Sequence, residues 1–172
     1  MMNMTKEKTK ELYNIFEEEN IFSSPDRFIQ VWFALEGFLR GKTVWYDMEA
    51  VEDDSSYKDL FLMHAKTFKD EMRISRSSCS SFYDRKNRKA GISLKIGEET
   101  LESSWDQSSD WVEPAFYEFI RDKVEPRILG AFVSFVPIDQ GYYGMYLPKD
   151  QAKRIDSKLR ELESRLELDE YY

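Results

Sequence analysis

The chain has one cysteine, one histidine, five prolines and seven glycines in 172 residues. With Cys79 alone, no intramolecular disulfide can form, so packing has to hold the fold and a reducing compartment is expected. Cys79 and His64 together cannot supply the four ligands of a Cys/His zinc site. Any Cys–His or Ser–His catalytic pair must use His64. Scarce glycine and proline exclude collagen-like and linker-like chains. Long apolar runs are missing too. The strongest, residues 28–39, is interrupted by Gln30 and Glu36, and a membrane-spanning helix needs about 20 apolar residues. The first eight residues lack the apolar stretch of a secretory signal, so a cytoplasmic location is expected. The motifs G-x-x-x-x-G-K-[ST], G-x-G-x-x-G and G-x-S-x-G do not occur.

What is present is a folded chain's composition. Aromatic residues make up 15% and hydrophobic residues 41%, too much for a disordered acidic polymer. The length suits one domain, residues 1–172, with a sizeable buried core.

Helical spacing of apolar residues predicts a first helix over residues 5–19, with Leu12, Ile15 and Phe16 on its face. A second helix starts at Ser24-Pro25-Asp26, which reads as N-cap, N1 proline and first-turn acid. Phe28, Val31, Trp32, Leu35, Phe38 and Leu39 form its face, Ile29 and Phe33 broaden it, and Gly41 stands where a C′ glycine would. Residues 43–46 read as a short strand and 47–54 as an acidic loop. Ser55 or Ser56 caps a third helix to about residue 73, with Tyr57, Leu60, Phe61, His64, Ala65, Phe68 and Met72 facing inward. Residues 75–89 are Ser-rich and basic and read as a loop. Period-two alternation over 91–96 predicts a strand, with a turn at 97–99 and a partner strand at 100–105. Ser109 caps a fourth helix over 110–124. Residues 127–136 read as a strand buried on both faces, 137–141 as a turn and 142–147 as the returning strand. Pro148 opens an amphipathic C-terminal helix over 148–169, with Ile155, Leu159, Leu162 and Leu166 as a narrow seam. This order predicts an α+β fold, about five helices packed on a small antiparallel sheet built from two hairpins.

The chemistry-bearing candidates are few. His64 lies on an apolar helical face, as a buried core imidazole would. Cys79 has Arg73, Arg76 and Arg85 near it in sequence, but a reactive thiolate needs a placement that spacing does not supply. The acids Asp47, Glu49, Glu52, Asp53 and Asp54 lack the ligand alternation of an EF-hand and read as a solvated loop. No catalytic residue, metal ligand or cofactor is therefore assigned.

Charge is the informative feature. The net charge is −8, but it is segregated. Residues 73–95 carry seven cations against Asp84 alone, a local +6, so the rest of the chain holds −14. Residues 98–125 carry nine acids against Arg121 and Lys123, and residues 47–59 carry six acids against Lys58. Acids interleaved with tryptophan suit a surface that captures a cationic partner, since charge steers encounter and aromatic anchors supply affinity. The expected function is thus a non-enzymatic protein-binding module. The leading form is an inhibitor or immunity-type protein, phage-type included, that mimics nucleic-acid charge and binds a basic surface on a nuclease or other nucleic-acid enzyme. Its expected contact residues are Asp53, Asp54, Glu98, Glu99, Glu102, Trp105, Asp106, Asp110 and Trp111. A weaker polyanion surface would use Arg76, Phe82, Tyr83, Arg85, Lys86, Arg88 and Lys89. The alternative to polyanion binding is that these cations pair with the chain's own acids. Two other functions compete: a small carboxylate- or metal-dependent hydrolase gripping an anionic substrate with the basic loop, and a self-associating protein that dimerises through the C-terminal helix.

Overall fold

A computed structural model describes residues 7, 10–12, 14, 25–135 and 140–165, and gives the backbone only for 25–28 and 162–165. Its helices and two small three-stranded sheets make an α+β fold. Each expected hairpin sits in its own sheet and gains a third strand there. The chain divides into two compact units. One comprises Met1–Trp45 and Gly130–Tyr172, the other the continuous segment Tyr46–Leu129.

In the first unit, α1 (Pro25–Leu39) is followed by Gly41 at φ +77°, a left-handed conformation that stops the helix. Val31, Trp32, Leu35 and Leu39 are buried as their spacing predicts. Phe33 is not: it is 64% exposed, because the apolar stripe that packs is narrower than the run of apolar residues. One sheet comprises β1 (Thr43–Asp47), β5 (Gly130–Ser134) and β6 (Gly141–Pro148), in the order β1-β6-β5. β5 and β6 pair antiparallel. As the middle strand, β6 is buried from Gly141 to Leu147 on both faces. β5 is shorter and less buried than the expected 127–136 strand, since a 3₁₀ turn, Glu125–Arg127, takes its first residue and residues 128–129 bend. The C-terminal helix, numbered α4 in chain order, runs from Lys149 to Arg165. Its Ala152, Ile155 and Leu159 join Trp32, Leu35, Phe135, Tyr143 and Met145 in one cluster. Ile155 and Leu159 are thus spent on this unit's own core, which leaves neither for a dimer seam. Leu12 belongs to the same cluster. Most of the expected first helix, the turn at 137–139 and Leu166 lie outside the described residues.

In the second unit, α2 (Ser56–Thr67) stops well before residue 73. The Thr67 hydroxyl donates to the His64 carbonyl at 2.7 Å, and residues 68–71 continue as turns. Tyr57, Leu60, Phe61, His64 and Ala65 face inward as expected. The supposed basic loop contains a β-strand. After a 3₁₀ turn, Arg76–Ser78, comes β2 (Cys79–Asp84), and only residues 85–88 turn into β3 (Lys89–Ile96). Serines carry little hydrophobic signal, so the strand is specified by its antiparallel ladder with β3 rather than by its own pattern. β3 pairs with β4 (Glu99–Asp106) through a two-residue turn whose first position, Gly97, has φ +60°, matching the type II′ hairpin. The strand order of this second sheet is β2-β3-β4.

The helix expected over 110–124 is also corrected. Pro114 takes the N1 position and holds Glu113 extended, so α3 spans only Pro114–Phe119. A π-helical turn, Ile120–Val124, and the 3₁₀ turn come after it. The aromatic core of this unit is edge-to-face: Tyr57 meets Trp105 at 4.8 Å between ring centroids, and Phe61 meets Phe119 at 6.1 Å.

Candidate functional site

Alternation along β4 decides where its side chains go. Leu101 and Trp105 turn inward, while Glu102, Ser104 and Asp106 turn outward. Trp105, expected at an interface, is therefore a core residue, 8% exposed. Its indole nitrogen donates to Gln107 Oε1 at 3.3 Å.

Gln107 organises the loop after β4. It is buried, and its Oε1 also accepts from the Tyr57 hydroxyl at 2.6 Å. Its Nε2 donates to the carbonyls of Ser109 at 2.8 Å and Trp111 at 2.7 Å, and its backbone N–H to Arg88 O at 2.9 Å. The Tyr57 hydroxyl in turn accepts from Glu113 N at 3.1 Å. Burial pushes the Tyr57 phenol up from its ordinary value, so it remains a neutral donor here. Ser108 donates from both its N–H and its hydroxyl to Glu113 Oε1, at 3.2 and 2.9 Å. Together these bonds hold residues 107–113 in one fixed loop with Asp110 and Trp111 at its surface. Trp111 is 37% exposed.

The same loop lies against the first acidic segment. Val51 N donates to Asp110 O at 2.9 Å, and Val112 N donates to Met48 O at 2.8 Å. Two acidic segments far apart in sequence thereby run side by side, with Asp47, Glu49, Glu52 and Asp110 all exposed.

The other expected acids are not part of this patch. Asp53 is a turn-former: its Oδ1 accepts from the Ser55 N–H at 2.7 Å and hydroxyl at 2.9 Å, and these bonds, with those of Ser56, hold its carboxyl below the usual range. Asp54 closes the free edge of β2, accepting from Tyr83 N at 2.7 Å. Glu98 and Glu99 stand at the far end of β4 from Asp106, about 23 Å away along an extended strand. Glu99 is paired with Arg127, whose guanidinium keeps its carboxyl low. Glu102 accepts from the Ser93 hydroxyl at 3.2 Å, and its carbonyl accepts from Lys123. Asp106 is bound to Lys89 at 2.6 Å. Of the nine residues expected to form one surface, Trp105 is buried, Glu99 and Asp106 are ion-paired, and Asp110 and Trp111 share one exposed loop.

The basic segment is largely answered by the chain itself. Arg76 pairs with Asp59 at 2.8 Å and Lys89 with Asp106. Arg85 donates to the Glu52 carbonyl and lies over the Tyr83 ring, 5.5 Å from its centroid. Phe82 is 44% exposed, and its ring covers Gly91 across the strand pair. Lys86 and Arg88 sit in the 85–88 turn, whose shape is set by Asp84 accepting from Asn87 N at 3.0 Å and Nδ2 at 2.7 Å. These bonds keep the Asp84 carboxyl low. Among the described residues, Lys86 and Arg88 are the cations of the expected polyanion surface that no ion pair or side-chain hydrogen bond takes up.

The nucleophile and base candidates are both internal. His64 is fully buried among Tyr46, Phe116 and its own helix, with Tyr46 Oη at 3.3 Å from Nε2. Burial lowers its pKa to about 3, so the imidazole is neutral. The Cys79 thiol is buried and pushed up to about 11, which removes the thiolate at neutral pH. Among the described residues, no three His, Cys, Asp or Glu side chains are grouped to hold a metal ion, and no helix is long and apolar enough to cross a membrane.

Sequence reasoning overlooked the polar roles of Gln107 and Tyr57. A polar residue just after a strand reads as loop, and only the carbonyl, hydroxyl and indole partners around Gln107 reveal its role. The Asp84-x-x-Asn87 spacing was a legible turn signature. Comparison with protein-family models, with curated proteins and with solved structures finds no match for this chain.

Proposed function

We propose that this chain is a non-enzymatic protein-binding module that engages a basic partner through the Trp111 patch. The observation that carries the reading is the pairing of residues 48–51 with 110–112. It brings the exposed Asp110 and Trp111, on a loop held by Gln107, beside the segment that carries the exposed Asp47, Glu49 and Glu52. A preorganised aromatic anchor beside acidic segments loses little entropy on binding, and the net charge of −8 steers cationic partners toward the protein. A nuclease or other nucleic-acid enzyme has such a surface, and occupying it makes the module an inhibitor or immunity-type protein. A carboxylate- or metal-dependent hydrolase draws no support from Arg85, whose guanidinium meets the Glu52 backbone carbonyl.

The test is affinity capture with the tagged chain, followed by direct binding to each purified captured protein. Trp111→Ala with Asp110→Lys should weaken binding by about tenfold or more, roughly the loss of one hot-spot contact. Glu98→Lys with Glu102→Lys, toward the other end of β4, should leave it intact. Equal binding by wild type and the Trp111/Asp110 variant overturns the reading. If the captured partner is a nuclease, its turnover should fall on adding the wild-type chain.

A further inference from the structure

The opposite charge has its own site in the same unit. α2 carries a second stripe, Asp59, Leu62, Met63 and Lys66, at spacings of three, one and three, which is one helical face. This stripe is separate from the buried one and forms the floor of an open groove of about 1050 Å³, with Lys69, Asp70 and residues 73–76 as its further walls. Leu62, Met63 and Ile74 are half-buried there, so the groove has an apolar floor that solvent reaches. Arg76 is taken by Asp59 at one end. Lys66, Lys69 and Arg73 are exposed, and among the described residues none of them is ion-paired.

We propose that this groove is a second binding site, which takes an acidic amphipathic peptide segment of a protein partner. Three unanswered cations around an apolar floor complement acids flanking apolar anchors, in a protein whose overall charge otherwise repels anions. The apolar floor favours a peptide over a nucleic acid, whose backbone would leave Leu62, Met63 and Ile74 uncovered. Met63 adds an adaptable surface that accepts anchors of differing shape. The site lies on a different element from the Trp111 loop, so one chain can join a basic partner to an acidic one.

The experiment is selection of a displayed random library of peptides of about 14 residues, roughly four helical turns, on the intact chain. The expected pool is net acidic, with apolar residues three or four positions apart. Its members should lose about tenfold or more in affinity on Lys66→Glu with Arg73→Glu, and weaken as salt rises. Both substitutions are at exposed positions, and far-UV circular dichroism checks that the fold is kept. Met63→Gln, which keeps every charge, should also weaken the same peptides. A neutral or basic pool, or an acidic pool indifferent to the charge reversals, overturns the proposal. So does an oligodeoxythymidylate that displaces the peptides at equal or lower concentration, since that would mark a general polyanion surface.

Discussion

His64 shows how one residue's surroundings settle its chemistry. Its place on the apolar face of α2 leaves the imidazole without water, and burial penalises the charged form. The folded pKa, about 3, lies below the ordinary value of 6.5. Protons therefore bind the unfolded chain more readily. The stability that the neutral imidazole contributes is complete above pH 6.5 and is lost as the pH falls toward 3. Over that window the loss is up to about 1.4 kcal/mol per pH unit. Urea midpoints measured across it should fall less steeply for His64→Gln than for the wild type. Identical slopes would show that His64 titrates normally. The same reasoning separates Trp105 from Trp111: both lie in acidic stretches, but alternation buries the first and the Gln107 carbonyl clamp exposes the second.

At the scale of elements, the β2–β3 pair rests on a close approach that only glycine permits. A Cβ at Gly91 would meet Phe82 Cε1 at 2.6 Å and the Ser103 carbonyl at 2.7 Å. The Phe82 ring lies where that side chain would stand, which explains both the glycine and the exposure of Phe82. Gly91→Ala should cost about 1–3 kcal/mol of unfolding free energy, the usual range for overpacking. Phe82→Ala in the same chain should recover part of this loss but not all, because the Ser103 carbonyl belongs to the backbone of the adjacent strand. A full recovery would assign the clash to the ring alone. The strand itself was hidden in the sequence for a related reason. Cys79, Ser80 and Ser81 carry no alternating hydrophobic pattern, so their pairing with Leu94, Ser93 and Ile92 had to supply the signal.

For the whole molecule, the division into units runs against chain order. Tyr46–Leu129 is continuous, whereas the other unit is assembled from both ends of the sequence. The continuous segment contains its own sheet, its own aromatic core and its own edge protection at Asp54 and Tyr83. Expressed alone, Tyr46–Leu129 should unfold cooperatively in urea, with tryptophan fluorescence and circular dichroism giving the same midpoint. A segment with no transition would show that it needs the flanking chain. The charge map also belongs to this scale. The +6 and −14 portions answer each other locally, through Arg76–Asp59 and Lys89–Asp106, and Arg127–Glu99 neutralises a further acid. These are surface pairs screened by water, so their consequence is local charge neutralisation rather than stability.

Local physics was enough to read α1, with its proline start and glycine stop, and β6, the hairpin at Gly97 and the buried face of α2. These features depend on periodicity and on residues with restricted or permissive backbones, both of which act within a few positions. The α+β class came from their order. The sequence alone also excluded an intramolecular disulfide and a Cys/His zinc site among these residues, since those depend on composition. Tertiary structure decided everything that depends on partners distant along the chain. It made β2 a strand, shortened α3, buried Trp105 and brought residues 48–51 beside 110–112. It also decided which charges remain free. A charge's sign is a property of its residue, but whether it is neutralised depends on what folding sets within a few ångströms of it.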